Sequence, residues 1–388
     1  MRVIGVVTVG RSDYGIYRSL LQAIAAEPEL ELRLYVTGMH LSPEFGSTVT
    51  MIEADGYPIS ERIETLLASD SPEAIGKSMG LGVLGFSQAF ARSRPDVLVV
   101  LGDRFDMYPA AVAALPFRIP VAHVHGGEVT FGAIDDALRH SITKLSHLHF
   151  VSTETYACRV AQMGEEPWRI TTCGAPALDD LETQPRLSVE QLEERFGIVL
   201  SPAPLLVTFH PVTLEYDQTQ WQISELLAAL QGAGYPIIFT APNADTSGRI
   251  VRAAIESFVS QCKDAWLVEN FGQQAYFSLL PMVAAMVGNS SSGILEAASF
   301  GLPVVNIGNR QLGRAHGSNV VNCGSTRAEI GQAIQQTVTP EFRSAISSRT
   351  NPYRATTRSA AATIVERLKT VALDERLLRK HFHDLNVR

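Results

Sequence analysis

The chain has 388 residues, too many for one ordinary hydrophobic core, and its 46% apolar and 19% charged content excludes long disorder. A net charge of −8 speaks against a basic nucleic-acid surface, and no apolar window approaches the ~20 residues of a membrane span. The N-terminus lacks the shape of a signal peptide, and Cys158, Cys173, Cys262 and Cys323 form no C-x-x-C pair, so the expected setting is cytoplasmic with reduced thiols.

In chain order, short β-rich runs alternate with helical patterns. The first set of strands is 3–9, 32–36, 97–101, 121–124 and 148–151, with helical spacing over 17–26 and 71–91. A break with Gly174, Pro176 and Pro185 follows, and the pattern restarts at 205–209, 236–239, 266–268, 284–287 and 304–307. Near-continuous apolar strands separated by helices predict parallel sheets covered on both faces. The expected organisation is an N-terminal domain over 1–178, a second over 179–365, and a tail over 366–388 packing near the junction with a frayed end. Two such sheets leave a cleft, and ligands bind outside the carboxyl ends of the strands.

The strand ends are therefore where chemistry is sought. The first runs into Gly10-Arg11-Ser12-Asp13-Tyr14-Gly15 and a helix, whose free N–H groups suit a phosphate, with Arg11 as a forked cation. An Arg11–Asp13 pair that caps the helix is the simpler account of this turn alone. Strand 97–101 ends in Gly102-Asp103-Arg104-Phe105-Asp106, two carboxylates around an arginine, more than capping requires. Strand 121–124 leads into His125-Gly126-Gly127-Glu128, and the helix beyond it carries Asp135 and Asp136 in its first turn. Asp136 fits a dipole-matched cap, whereas Asp135 is a candidate to face the cleft with Glu128 and Asp103. His123, His125, His147 and His149 raise a metal reading, but H-x-H is a weak signal and core histidines are commoner, so no metal is expected. In the second half, His210-Pro211 ends strand 205–209. Gly288-Asn289-Ser290-Ser291-Ser292-Gly293 leads into a helix that carries Glu296, a phosphate cradle with a carboxylate placed for a vicinal diol.

Taken together, Gly10-Arg11-Ser12-Asp13-Tyr14, Gly102-Asp103-Arg104-Phe105-Asp106, His125-Gly126-Gly127-Glu128, Ile134-Asp135-Asp136, Arg139-His140-Ser141-Ile142-Thr143-Lys144, His210-Pro211, Gly288-Asn289-Ser290-Ser291, Glu296 and Asn309-Arg310-Gln311 resemble the UDP-N-acetylglucosamine 2-epimerases, specifically the hydrolysing branch of sialic-acid and legionaminic-acid pathways. The resemblance covers nearly the whole chain. It implies an α/β, glycosyltransferase-B-like fold of two Rossmann-like domains with a cleft between them. It also implies conversion of a UDP-linked 2-acetamido sugar and water to the free 2-epimer and UDP through a 2-acetamidoglycal, with no cofactor and no metal. Asp103, Glu128 and Asp135 match the catalytic carboxylates, and His210, placed for a phosphate or a proton, is a further catalytic candidate. His210, Arg11, Ser290 and Ser291 match diphosphate-binding positions, Asn289 belongs to the same UDP set, and Glu296 matches the ribose ligand. Arg310 resembles the arginine of a Thr-Arg-Gln run, with Asn309 in place of the threonine. The turn Gly10-Arg11-Ser12-Asp13-Tyr14 is nearer the hydrolysing pattern than the Gly-Thr-Arg-Pro-Glu type of non-hydrolysing relatives.

The substrate expectation is UDP-GlcNAc, giving ManNAc, with UDP-N,N'-diacetylbacillosamine as the alternative. Partners expected are that small molecule and a second or further copy of the chain (dimer or tetramer), with no nucleic acid and no membrane. A non-hydrolysing epimerase, a UDP-sugar glycosyltransferase and a non-catalytic UDP-sugar sensor are the competing functions.

Overall fold

The computed structural model describes residues 1–131, 133–179, 181, 184–242, 247–346, 351–354 and 358–385. It divides into two compact units. The first comprises Met1–Glu128, Asp135–Asp180 and Tyr353–Arg388, and the second Val129–Ile134 and Leu181–Pro352. Among the described residues no helix is long and apolar enough to cross a membrane.

The first unit holds β1 (Arg2–Thr8), β2 (Leu30–Thr37), β3 (Ile59–Ile63), β4 (Val97–Leu101), β5 (Val121–Val124), β6 (Leu148–Val151) and β7 (Ile170–Thr172). They form a parallel sheet in the order β3-β2-β1-β4-β5-β6-β7. β4, β5 and β6 are buried along their whole length, as a strand covered on both faces must be. Helix Arg11–Ala26 packs on this sheet through Tyr17, Leu20, Leu21 and Ile24, the i, i+3, i+4, i+7 stripe of an amphipathic helix.

The second unit holds β8 (Leu205–Thr208), β9 (Ile237–Thr240), β10 (Ala265–Val268), β11 (Ala285–Gly288), β12 (Val304–Ile307) and β13 (Val320–Cys323), ordered β10-β9-β8-β11-β12-β13 and again parallel. Both units are thus doubly wound α/β sheets, as expected, and in each the strand order reverses once, at β1/β4 and at β8/β11.

Three strands escaped the sequence reading: β3, β7 and β13. All three are sheet edges. β3 is Ile-Ser-Glu-Arg-Ile and largely half-buried, β7 has three residues, and β13 is half-buried to exposed. Edge strands meet solvent and so lack the apolar run that marks a central strand.

The boundary expected at residue 365 is corrected by the C-terminal segment. Helix Ala360–Thr370 buries Ala360, Ala361, Ile364, Val365 and Leu368 in the core of the first sheet. Its first turn is tied down by Asp179, whose carboxylate accepts from the Ala360 and Ala361 amides at 2.8 and 2.7 Å. The tail is also held rather than frayed as far as it is described. The buried guanidinium of Arg169 donates to the carbonyls of Leu377, Arg376 and Arg379 at 2.8, 2.8 and 3.1 Å. Lys380 and Lys144 both reach Glu165, at 2.9 and 2.6 Å, and His149 Nε2 donates to the same carboxylate at 2.9 Å.

This cluster gives the first unit a defined acid sensitivity. Burial pushes the Glu165 carboxyl up, but bonds and charges from His149, Lys144 and Lys380 outweigh it and bring it down to about 2, from an ordinary 4.5. A carboxyl depressed on folding stabilises the fold above its ordinary value and loses that contribution as pH falls towards the depressed one. Urea titrations of the whole protein should therefore show a stability loss between pH 4.5 and about 2 that Glu165→Gln removes, the variant being the less stable protein at neutral pH.

Candidate active site

In the first unit, three strand ends carry the carboxylates. After β1, the Asp13 carboxylate turns back on the loop. It accepts from the amides of Val9 and Gly10 at 2.9 and 2.7 Å and from Thr8 Oγ1 at 2.7 Å. Its role is thus the cap of helix Arg11–Ala26, and burial raises its carboxyl. After β4, Arg104 Nε donates to Asp106 at 3.1 Å. Burial pushes Asp106 up to about 6, with Arg104 opposing and Asp13 adding to the rise.

Asp103 is paired with the buried guanidinium of Arg139, four residues beyond Asp135 on helix Asp135–Leu145. Arg139 also lies 3.7 Å from Asp136. The helix therefore presents Asp135 in its first turn, buried, and Arg139 one turn later, so that the pair with Asp103 joins the end of β4 to this helix. Arg139 stood in the motif run but was given no role. Its spacing from Asp135 and Asp136 is the helical i, i+4 and i, i+3 at which such side chains meet.

After β5 the chain makes the turn His125-Gly126-Gly127-Glu128. Gly127 has φ of 76°, and a Cβ there would lie 2.5 Å from the Tyr156 carbonyl, so only glycine fits. Glu128 is buried, and its Oε1 accepts from His125 Nδ1 at 2.7 Å and from Ser152 Oγ at 2.9 Å. Ser152 had no role in the sequence reading. It follows β6 as His125 follows β5, which is the signal that would have found it.

The remaining histidines of the H-x-H pattern are structural. His123 is driven down to about 3, first by burial, so it is neutral. Its Nε2–H donates to the Gly102 carbonyl at 2.8 Å and its Nδ1 accepts from Thr143 at 3.1 Å. His147 Nδ1 accepts from the Val121 amide at 3.1 Å, and His149 serves Glu165. Among the described residues no group of three or more His, Cys, Asp or Glu is placed to hold a metal ion.

The second unit builds its site at the β8/β11 reversal. These strands are paired, with Gly288 opposite Thr208, so the loops that follow lie side by side. Gly288 has φ of 138°, and a Cβ would fall 1.9 Å from the Thr208 carbonyl. That closeness allows the next contact: the buried Asn289 side chain accepts from the His210 amide at 2.7 Å and donates to the His210 carbonyl at 2.8 Å. The Asn289 carbonyl in turn accepts from Gln311 Nε2 at 2.8 Å and Arg310 Nη1 at 3.3 Å. His210, Asn289 and Arg310 are thereby one connected group, with Gln311, unassigned from sequence, as its fourth member.

Ser290 Oγ accepts from the Ser292 amide at 3.3 Å, and Ser292 Oγ bonds the Tyr276 hydroxyl at 2.6 Å. The helix expected to run on through Glu296 is short. It covers Ser292–Leu295, and a 3-10 turn takes over at Ala297–Phe300, with Glu296 buried at the junction. Burial, with the charge of Glu296, raises the Tyr276 hydroxyl. Arg11 is the first residue of helix Arg11–Ala26, and Ser290 and Ser291 lie between β11 and helix Ser292–Leu295.

The chain matches the family model for UDP-N-acetylglucosamine 2-epimerase over residues 22–369. It is 39% identical over 344 residues (88% of this chain, 89% of the relative) to a GDP/UDP-N,N'-diacetylbacillosamine 2-epimerase (hydrolyzing) of Campylobacter jejuni. To a UDP-N,N'-diacetylbacillosamine 2-epimerase (hydrolyzing) of Legionella pneumophila it is 37% identical, covering 87% and 89% of the two chains. To a UDP-N-acetylglucosamine 2-epimerase of Neisseria meningitidis it is 34% identical, with 87% of each covered. The fold is that of a solved UDP-GlcNAc 2-epimerase from Neisseria meningitidis, with a TM-score of 0.80 at 18% identity over 95% of this chain and 99% of that one. With a family model spanning most of its length and these relatives, the chain belongs to the UDP-N-acetylglucosamine 2-epimerase family.

Proposed function

We propose that the chain is a hydrolysing 2-epimerase, which converts a UDP-linked 2-acetamido sugar and water to the free 2-epimer and UDP. The observation that carries this reading is the concentration of carboxylates after the neighbouring strands β4 and β5: the half-buried Asp103 and the buried Glu128 on their loops, and the buried Asp135 at the start of the helix beyond β5. A site that only bound a sugar, or moved it to an acceptor, has no need of three acids.

The chemistry explains the need. C2–H of an acetamido sugar is not acidic, so cleavage of the anomeric C–O bond leads and positive charge builds at C1. Carboxylates held in a water-poor site stabilise that charge. Loss of the C2 proton then gives the 2-acetamidoglycal, and hydration with proton return on the opposite face inverts C2. Arg11, His210, Asn289, Ser290, Ser291 and Arg310 are assigned to the departing UDP, and Glu296 to its ribose. No metal and no cofactor take part in this scheme.

For the sugar, UDP-GlcNAc giving ManNAc and UDP-N,N'-diacetylbacillosamine giving 2,4-diacetamido-2,4,6-trideoxymannose are the candidates. The 39% and 37% identities to diacetylbacillosamine enzymes, against 34% to a UDP-GlcNAc enzyme, favour the second.

Incubation with each UDP-sugar in deuterated water should yield UDP and a free 2-epimer carrying deuterium at C2, read by NMR. A UDP-linked epimer in place of free sugar would instead show a non-hydrolysing enzyme. Asp103→Asn and Asp135→Asn should each lower kcat by about 10²–10⁴-fold while calorimetric UDP binding persists. Unchanged turnover in both would remove the carboxylates from the mechanism. Asn289→Ala leaves the buried His210 amide and carbonyl without their partner, a cost of about 1–3 kcal/mol, and should weaken UDP binding more than it lowers kcat at saturating sugar.

A further inference from the structure

His125 is the residue at the end of β5 that the scheme above leaves without a task. Its φ of 64° lies in the left-handed region, where a residue with a side chain is strained. Strain of this kind persists where the surrounding structure fixes the residue, and it concentrates at functional sites.

The ring is buried and its two nitrogens are unequal. Nδ1 stands 2.7 Å from Glu128 Oε1, which also accepts from Ser152 Oγ at 2.9 Å. Nε2 is buried without a hydrogen-bond partner among the described residues. An ionised carboxylate only accepts, so Nδ1 carries the proton of that bond, and a neutral ring keeps its lone pair on Nε2. Ser152, Glu128 and His125 thus form a chain in which a carboxylate fixes the tautomer of an imidazole and stabilises its protonated form.

We infer that His125, through Nε2, takes the proton from sugar C2, and that Glu128 and Ser152 are positioning residues for its ring. The inference rests on the 2-epimerase reading. In the step, the C1–O bond breaks with its electron pair leaving on UDP, the C2 proton passes to Nε2, and the C2–H pair closes the C1=C2 bond of the glycal. The imidazolium so formed is held against the Glu128 carboxylate.

Two variants test this. His125→Asn suits the left-handed backbone and keeps an N–H for Glu128, so it preserves a structural role but cannot carry a proton. It should bind UDP with unchanged affinity, melt like the parent and lose kcat by about 10²–10⁴-fold with KM little altered. His125→Gly relieves the strain and removes the ring, and its lost kcat should return in part, and saturably, with added imidazole. Near-parental kcat in His125→Asn, or failure of imidazole to restore the glycine variant, overturns the assignment and leaves Glu128 as the acceptor. If the parent protein releases no UDP from either UDP-sugar, the epimerase reading itself falls, and this assignment with it.

Discussion

Parallel pairing makes every strand of a sheet release its following loop at the same edge, and each candidate residue of this chain stands on such a loop or on the first turns of the helix beyond it. The consequence is sharpest where the strand order reverses. At β8/β11 two loops that are 79 residues apart in sequence lie close enough for Asn289 to bond both backbone groups of His210. Gly288 permits that approach by having no Cβ. At β4/β5 the same geometry puts Asp103 and the His125–Glu128 turn on neighbouring strands, with His123 linking the two through the Gly102 carbonyl.

Burial then decides what these groups can do. A carboxylate shut away from water keeps its charge only if hydrogen bonds or cations support it. Glu165 has three such partners and is held ionised in a purely structural cluster. Asp106 has Arg104 and its own backbone amide against burial and the nearby Asp13, and rises to about 6. Histidines in the same layer lose their charge to burial, as His123 does, and become fixed donors and acceptors. His125 and His149 each have one nitrogen committed to a carboxylate and the other left over, but His149 lies within β6 whereas His125 stands in the turn after β5.

Much of the fold was legible in the sequence because central parallel strands are apolar throughout, and β4, β5 and β6 appear in it as unbroken runs. What escaped were the edges β3, β7 and β13, half wet and short of that signal, and the return of the C-terminal helix to the first unit. That return depends on tertiary contacts, such as Asp179 to Ala360 and Ala361, which no local pattern announces. In the site, residues next to glycine-rich strand ends stood out. Ser152 did not, and Arg139 and Gln311 stood in motif runs without a role, because the importance of all three lies in what they hold: Glu128, Asp103 and the Asn289 carbonyl. The Asp13 carboxylate shows the opposite case, a conspicuous residue whose bonds go to its own loop.

The interleaving of the two units has a consequence for biosynthesis. Chains emerge from the ribosome N-terminus first, and domains generally fold as units in that order. Here the first unit lacks its last segment, Tyr353 onwards, until the second unit has been made, so Ile364, Leu368 and Leu377 are missing from its core throughout that interval. The later-synthesised half is the one free to mature early, and the nascent first sheet is the part a chaperone would need to shield.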